Sequence, residues 1–213
     1  MAAYRVNVSL FADRADAGRR LAEVLERWRG QDVVVCGIPR GGVVVAAEVA
    51  RALGSPLDVA VVRKLGAPSN QEFAVGAIAD GVRVVSPGAV QNAGVTPEQL
   101  NFVEDMERVE LRRRIERFGQ PRLDVIGRTA IIVDDGVATG ATAIAACQSL
   151  KARGAASVVL ATPVAPANWR PGQDVCDEYI CLAPQPNFWA VGQFYDDFTQ
   201  TEDAEVEHLL RNA

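Results

Sequence analysis

The chain has 213 residues, 49% of them apolar, with 18 Gly, 11 Pro and few aromatics, the texture of a globular protein of one domain rather than a disordered or fibrous one. No apolar run reaches the roughly 18 to 20 residues of a membrane span. The start Met1-Ala2-Ala3-Tyr4-Arg5 lacks a signal-peptide pattern, so a cytoplasmic location with no membrane partner is expected. Twenty-two Lys and Arg against 27 Asp and Glu give a net charge of -5, which repels polyanions and argues against a nucleic-acid partner, while leaving room for a local basic site.

In chain order, Asp13 to Arg29 carries Ala17, Leu21, Leu25 and Trp28 at helical spacing and stops at Gly30. Asp32 to Cys36 is a short β-branched run ending in Gly37, followed by a helix over Val43 to Leu53 with Gly54 at its end. Leu57 to Val62 reads as a second strand. Phe73 to Ala79 and Val82 to Val85 flank Asp80-Gly81, a hairpin signal. Thr96-Pro97-Glu98-Gln99 caps a charged helix running to about Phe118, before Gly119 and Pro121. Thr129 to Val133, a helix over Ala141 to Arg153 closed by Gly154, and Ser157 to Ala161 repeat strand, helix, strand.

Apolar strands alternating with helices predict an α/β fold, an open, mainly parallel sheet covered on both faces. The core falls at about 30–65 and 124–183, an inserted hairpin and helix at about 66–123, and a C-terminal hood or tail at about 184–213, all within a single domain, 1–213. The four cysteines, Cys36, Cys147, Cys176 and Cys181, match neither a zinc ribbon nor a redox Cys-x-x-Cys and read as free buried thiols. One histidine, His208, leaves histidine-based catalysis little to use. Arg112-Arg113-Arg114 lies among Glu104, Asp105, Glu107, Glu110 and Glu116, the pattern of a solvated, salt-bridged helix face.

The strongest signal is Ile131-Ile132-Val133-Asp134-Asp135-Gly136-Val137-Ala138-Thr139-Gly140-Ala141-Thr142. A buried strand runs into two carboxylates and a Gly- and Thr-rich turn that opens a helix. The unpaired N–H groups of that helix start, its dipole and the hydroxyls of Thr139 and Thr142 suit a phosphate. Beyond the strand end, Asp134 and Asp135 can both reach a ligand, accepting from vicinal hydroxyls or holding a hydrated Mg²⁺. The plain alternative is a helix cap with two solvated acids. The Gly-Lys-Ser/Thr ending of a Walker loop is absent, and so is Gly-x-Gly-x-x-Gly. Upstream, Gly37-Ile38-Pro39-Arg40-Gly41-Gly42 forms a second loop between strand and helix, with Arg40 favouring another anion. It reads equally as a tight turn. Arg63 and Lys64 stand at the end of the Leu57 to Val62 strand, where solvated side chains are also expected.

The run of apolar residues, two acids and Gly-Val-Ala-Thr-Gly-Ala-Thr resembles the phosphoribosyl pyrophosphate signature of type I phosphoribosyltransferases. That resemblance implies that Asp134 and Asp135 hold ribose hydroxyls, that Ala138 to Thr142, including Thr139, Gly140 and Ala141, wrap the 5-phosphate, and that Gly136 belongs to the substrate-binding residues. It also implies that Gly37, Ile38, Pro39, Arg40 and Gly41 form the pyrophosphate loop, with Arg63 and Lys64 nearby; adenine phosphoribosyltransferases are similar in all three places. Arg63-Lys64-Leu65-Gly66, Glu72, Gly76-Ala77 and Phe188-Trp189-Ala190-Val191-Gly192-Gln193-Phe194-Tyr195 resemble a group of bacterial predicted phosphoribosyltransferases.

The resemblance implies Mg²⁺-dependent transfer of 5-phosphoribosyl to a nitrogenous, heteroaromatic acceptor with release of pyrophosphate. The residues that would carry it are Asp134, Asp135, Arg40 and Lys64, with Asp134 and Asp135 toward the metal and Trp189 on the acceptor side, in a homodimer. The 6-oxopurine enzymes place an acid where this chain has Ala138, which argues against hypoxanthine-guanine activity. Two other readings stay open: a non-catalytic sensor of phosphoribosyl pyrophosphate or a nucleotide, and hydrolysis of the donor. Phe188, Trp189, Phe194 and Tyr195 are either core or a hood over an acceptor ring. The stretch 64–79 is the expected mobile cover of the site.

Overall fold

The computed structural model describes residues 9–118 and 123–213, so Gly119 and Pro121 lie outside the described residues, as does the Met1 to Arg5 start. Helix α1 spans Arg14–Val24, opened by the Asp13 carboxylate accepting from the Asp16 N–H. It does not continue to Arg29. The chain tightens at Leu25 into a 3₁₀ turn, Glu26–Trp28, which lets both Leu25 and Trp28 reach the core. Strand β1 is Val33–Gly37, and helix α2, Gly41–Leu53, ends at Gly54 in the left-handed region at φ 66°.

Strand β2, Leu57–Val59, is shorter than its apolar run. Its last ladder contact is the Ala60 N–H on Gly37 O, and Val62 opens β3, Val62–Ala67, in a different sheet. Arg63 and Lys64 therefore belong to this second sheet and not to the end of a parallel strand. The apolar run shows no seam because Ala60, Val61 and Val62 are buried throughout the crossing. Strands β4, Asn70–Ala79, and β5, Val82–Val85, complete an antiparallel sheet ordered β3-β4-β5, with Gly81 at φ 71° in the expected hairpin turn. The stretch expected to be a mobile cover is thus mostly two paired strands. Leu65 and Ala67 of β3 and Val75, Ala77, Ile78 and Ala79 of β4 are buried, the run 75–79 without a break because both faces of the strand are covered there, while Phe73 is exposed.

Helix α3, Pro87–Ala93, precedes α4, Pro97–Phe118. The latter starts with reciprocal bonds: Gln99 N–H to Thr96 Oγ1 at 3.3 Å and Thr96 N–H to Gln99 Oε1 at 2.9 Å. Strand β6, Thr129–Val133, helix α5, Ala141–Ala152, strand β7, Ser157–Pro166, and strand β8, Glu178–Gln185, follow. A 3₁₀ turn, Val191–Phe194, and helix α6, Asp203–Arg211, end the chain. Among the described residues no helix is long and apolar enough to cross a membrane.

The fold is α/β, with a parallel sheet ordered β2-β1-β6-β7-β8. Alternate residues of β1 and β6 feed two cores. Val33, Val35, Ile131 and Val133 face α1 and α2, whereas Val34, Cys36, Ala130 and Ile132 face α5 and the small sheet. Cys36, Cys147 and Cys176 are buried thiols and Cys181 is half-buried. Phe194 and Tyr195 join Phe11 and Val164 in a third cluster, so these aromatics are core, while Trp189 is 90% exposed. From β1 the chain winds toward β2, and from β6 it winds the other way toward β7. The switch point of the sheet therefore lies between β1 and β6.

Candidate active site

The carboxyl ends of β1 and β6 lie side by side, with Gly37 paired to Val133 and the Ile38 N–H bonded to Val133 O at 2.9 Å. Helices α2 and α5 start from the loops that leave these strands, so two helix N-termini flank one crevice. Their first N–H groups lack helical partners by geometry and favour anions. The first loop is drawn tightly against the second: a Cβ on Gly41 would overlap the Asp135 carboxylate and the Arg14 guanidinium. The Pro39–Arg40 peptide is cis. Arg40 reaches Asp203 Oδ1 at 3.4 Å, and the other Asp203 oxygen is held by Arg117 at 2.6 Å.

The two acids are held differently. Asp134 Oδ1 accepts the Asp135 N–H at 3.0 Å. Asp135 Oδ2 accepts Arg14 Nε at 2.7 Å. Burial, followed by the charge of Asp135, pushes the Asp134 carboxyl well above the usual carboxylate range. Burial also raises Asp135, against the pull of Arg14. Tyr195 donates its hydroxyl to the Asp135 carbonyl at 2.6 Å; burial and the nearby acid push that hydroxyl's pKa upward.

In the second loop Gly140 sits at φ 85° and caps α5, and the Ile144 N–H is bonded back to it. A Cβ there would overlap the Trp169 ring, whose Nε1 donates to Thr139 O at 3.2 Å. Trp169 thus braces the loop from one side, leaving Ala138 and Thr139 exposed and Ala141 and Thr142 half-buried. A Cβ on Gly136 would meet Val191.

The structure therefore brings together Gly37 to Gly41 with Asp134, Asp135 and Gly136 to Thr142. Arg63 and Lys64 line a cleft of about 510 Å³ between β3, the β3–β4 tip and α4, with Arg63 Nε bonded to Glu107 at 2.6 Å. The Trp189 side chain stands in solvent. Among the described residues no group of three or more His, Cys, Asp or Glu converges on a metal position. Two adjacent carboxylates, one of them half engaged by Arg14, suit an Mg²⁺ shared with a ligand's phosphates. Sequence reasoning missed Arg14, Trp169 and Asp203. No local pattern distinguishes Arg14 from the other arginines of its helix, Trp169 sits in a stretch without periodicity, and Asp203 opens a short amphipathic helix whose Val206, Leu209 and Leu210 fall at helical spacing without pointing to its partner Arg40.

Residues 10–199 match the model of the phosphoribosyl transferase domain family. The chain is 51% identical to a Mycobacterium tuberculosis protein named "Putative phosphoribosyl transferase Rv0571c", over 97% of this chain and 47% of that protein. It spans about half the length of the curated relatives it matches. The crystal structure of TT1426 from Thermus thermophilus is similar at a TM-score of 0.75 and 41% identity, covering 95% of this chain and 98% of that one. A hypothetical protein from Neisseria gonorrhoeae with bound ppGpp shares the fold at 13% identity and a TM-score of 0.52, with 96% of each chain covered.

Proposed function

The chain belongs to the phosphoribosyl transferase family, and on that premise we propose that it transfers 5-phosphoribosyl from phosphoribosyl pyrophosphate to a nitrogenous, heteroaromatic acceptor. The observation that carries this reading is the pair of helix-opening loops at the switch point with Asp134 and Asp135 between them. One anion site suits the 5-phosphate and the other the pyrophosphate. In this reading the N–H groups of 138–142 and the Thr139 and Thr142 hydroxyls hold the 5-phosphate, while Asp134 and Asp135 accept from the ribose hydroxyls.

Loop 37–41 and Arg40 receive the leaving pyrophosphate, and Lys64, on the small sheet in the cleft beside α4, is assigned to it as a further cation. The C1–O bond breaks with its electron pair leaving on pyrophosphate, a C1–N bond forms, and the proton of the acceptor nitrogen passes to an oxygen of the departing pyrophosphate. Positive charge builds on the ribose as the leaving group departs, and the fixed acids favour it. Mg²⁺, held by Asp134 and Asp135 together with the donor's phosphates, would neutralise charge on the leaving group. Arg40 Nη1 lies 3.4 Å from Asp203 Oδ1, an ion pair with which a bound diphosphate would compete. We place this chemistry in a cytoplasmic homodimer.

Incubation with phosphoribosyl pyrophosphate, Mg²⁺ and a panel of bases is expected to release pyrophosphate only when an acceptor is present. Tight donor binding with no release for any base would make the protein a sensor, and release without acceptor would make it a donor hydrolase.

A further inference from the structure

The C-terminal aromatic stretch closes around one of the two acids. Val191 packs where a side chain on Gly136 would be, the Tyr195 hydroxyl holds the Asp135 carbonyl at 2.6 Å, and Thr199 O accepts Arg14 Nη1 at 2.7 Å. The Phe198 ring lies under the Arg14 guanidinium, 3.9 Å from Cζ to the ring centroid. Arg14 is therefore fixed by three partners: a carbonyl, an aromatic face and Asp135 Oδ2 at 2.7 Å. Its side chain is only 12% exposed.

We propose that Arg14 and Tyr195 are positioning residues for Asp135, and that the segment 191–199 braces this acid rather than covering the acceptor. The inference rests on the reading in which Asp135 binds the ribose of the donor. A carboxylate turns about two side-chain bonds, and one placed beside Asp134 is repelled toward solvent. Binding two vicinal hydroxyls needs a single orientation. Arg14 fixes Oδ2 and leaves Oδ1 for a hydroxyl, while Tyr195 fixes the backbone from which the side chain springs. The missing Cβ of Gly41 is what lets carboxylate and guanidinium meet beside the first loop.

Calorimetry with two probes in Mg²⁺-free buffer tests this, ribose 5-phosphate, which needs the acid, and inorganic pyrophosphate, which without the metal needs chiefly the first loop. Arg14→Met is expected to weaken ribose 5-phosphate about tenfold or more while pyrophosphate changes less than about twofold, as for loss of a partner that orients a ligand-binding group. Arg14→Lys should recover part of the loss, and Tyr195→Phe should show a smaller loss of the same kind. Equal losses for both probes, or none for ribose 5-phosphate, would overturn the inference. Should Arg14→Met melt below the assay temperature, Tyr195→Phe decides on the same criterion. Wild-type protein that fails to bind ribose 5-phosphate would overturn the functional reading itself. Wild-type binding that Asp135→Asn abolishes and both brace variants retain would overturn the brace alone.

Discussion

At the carboxyl ends of β1 and β6, charged side chains are few and each is held by backbone or by one fixed partner, as Asp135 is by Arg14 and Asp134 by the Asp135 N–H. Along α4 they are many and mostly pair with one another near solvent, as Glu110 does with Arg113 and Arg114 and Glu207 with Arg117, whereas Glu104, paired with Arg83 and Arg108, is buried. The strands beneath differ in the same way, β1 being buried at every residue and β5 exposed or half-buried at all four. Dry, fixed charges discriminate ligands and tolerate little change. Solvated pairs contribute little singly and tolerate much.

The largest expected effect is at Gly140, where valine would need a left-handed backbone and would overlap the Trp169 ring. Gly140→Val should abolish ribose 5-phosphate binding and lower stability by about 1 to 3 kcal/mol, read by calorimetry and thermal melting. Next come Asp134→Asn and Asp135→Asn, each expected to weaken ribose 5-phosphate about a hundredfold. Because burial and a like charge disfavour ionised Asp134, Asp134→Asn should melt no lower than wild type, trading binding for stability. A melt several degrees lower would mean that the acid serves the fold.

A selective effect is expected at Arg40, where alanine should weaken pyrophosphate about tenfold and ribose 5-phosphate less than about twofold, because a single charge-assisted contact is lost. Equal losses would remove the division of labour between the two loops. The smallest effect belongs to α4. The Arg113 bond, aided by Arg114, holds the Glu110 carboxyl down at about 2 from an ordinary 4.5. A depressed carboxylate contributes stability above its unfolded value and loses it as pH falls through about 4.5 toward 2. Glu110→Gln should therefore cost under about 0.5 kcal/mol at pH 7, and the gap should close near pH 2 in paired melts. A larger loss would make this surface as demanding as the site.

The contrast also governs what the sequence disclosed. Strand β6 and the start of α5 coincide with their expected bounds because a five-residue buried run, a Gly-rich turn and a helical period follow one another without ambiguity. The two loops were legible for the same reason, since a strand end, a Gly-rich turn and a helix start form a local pattern. The break between β2 and β3 was hidden because both sheets bury the same apolar run, and β8 because its residues are nearly all half-buried and show no alternation. Tyr195 was visible as an aromatic, but whether it covers a ligand or a carbonyl depends on the return of the chain from residue 195 to residue 135. Arg14 was silent because its partner lies 121 positions away.

Hydrogen exchange with and without phosphoribosyl pyrophosphate and Mg²⁺ reads whether the donor sits between the β1 and β6 loops. Slowed exchange is expected in residues 37–42 and 134–142, with α4 over 98–117 unchanged. Protection confined to the β3–β4 tip and its cleft against α4, with none at 134–142, would contradict that placement.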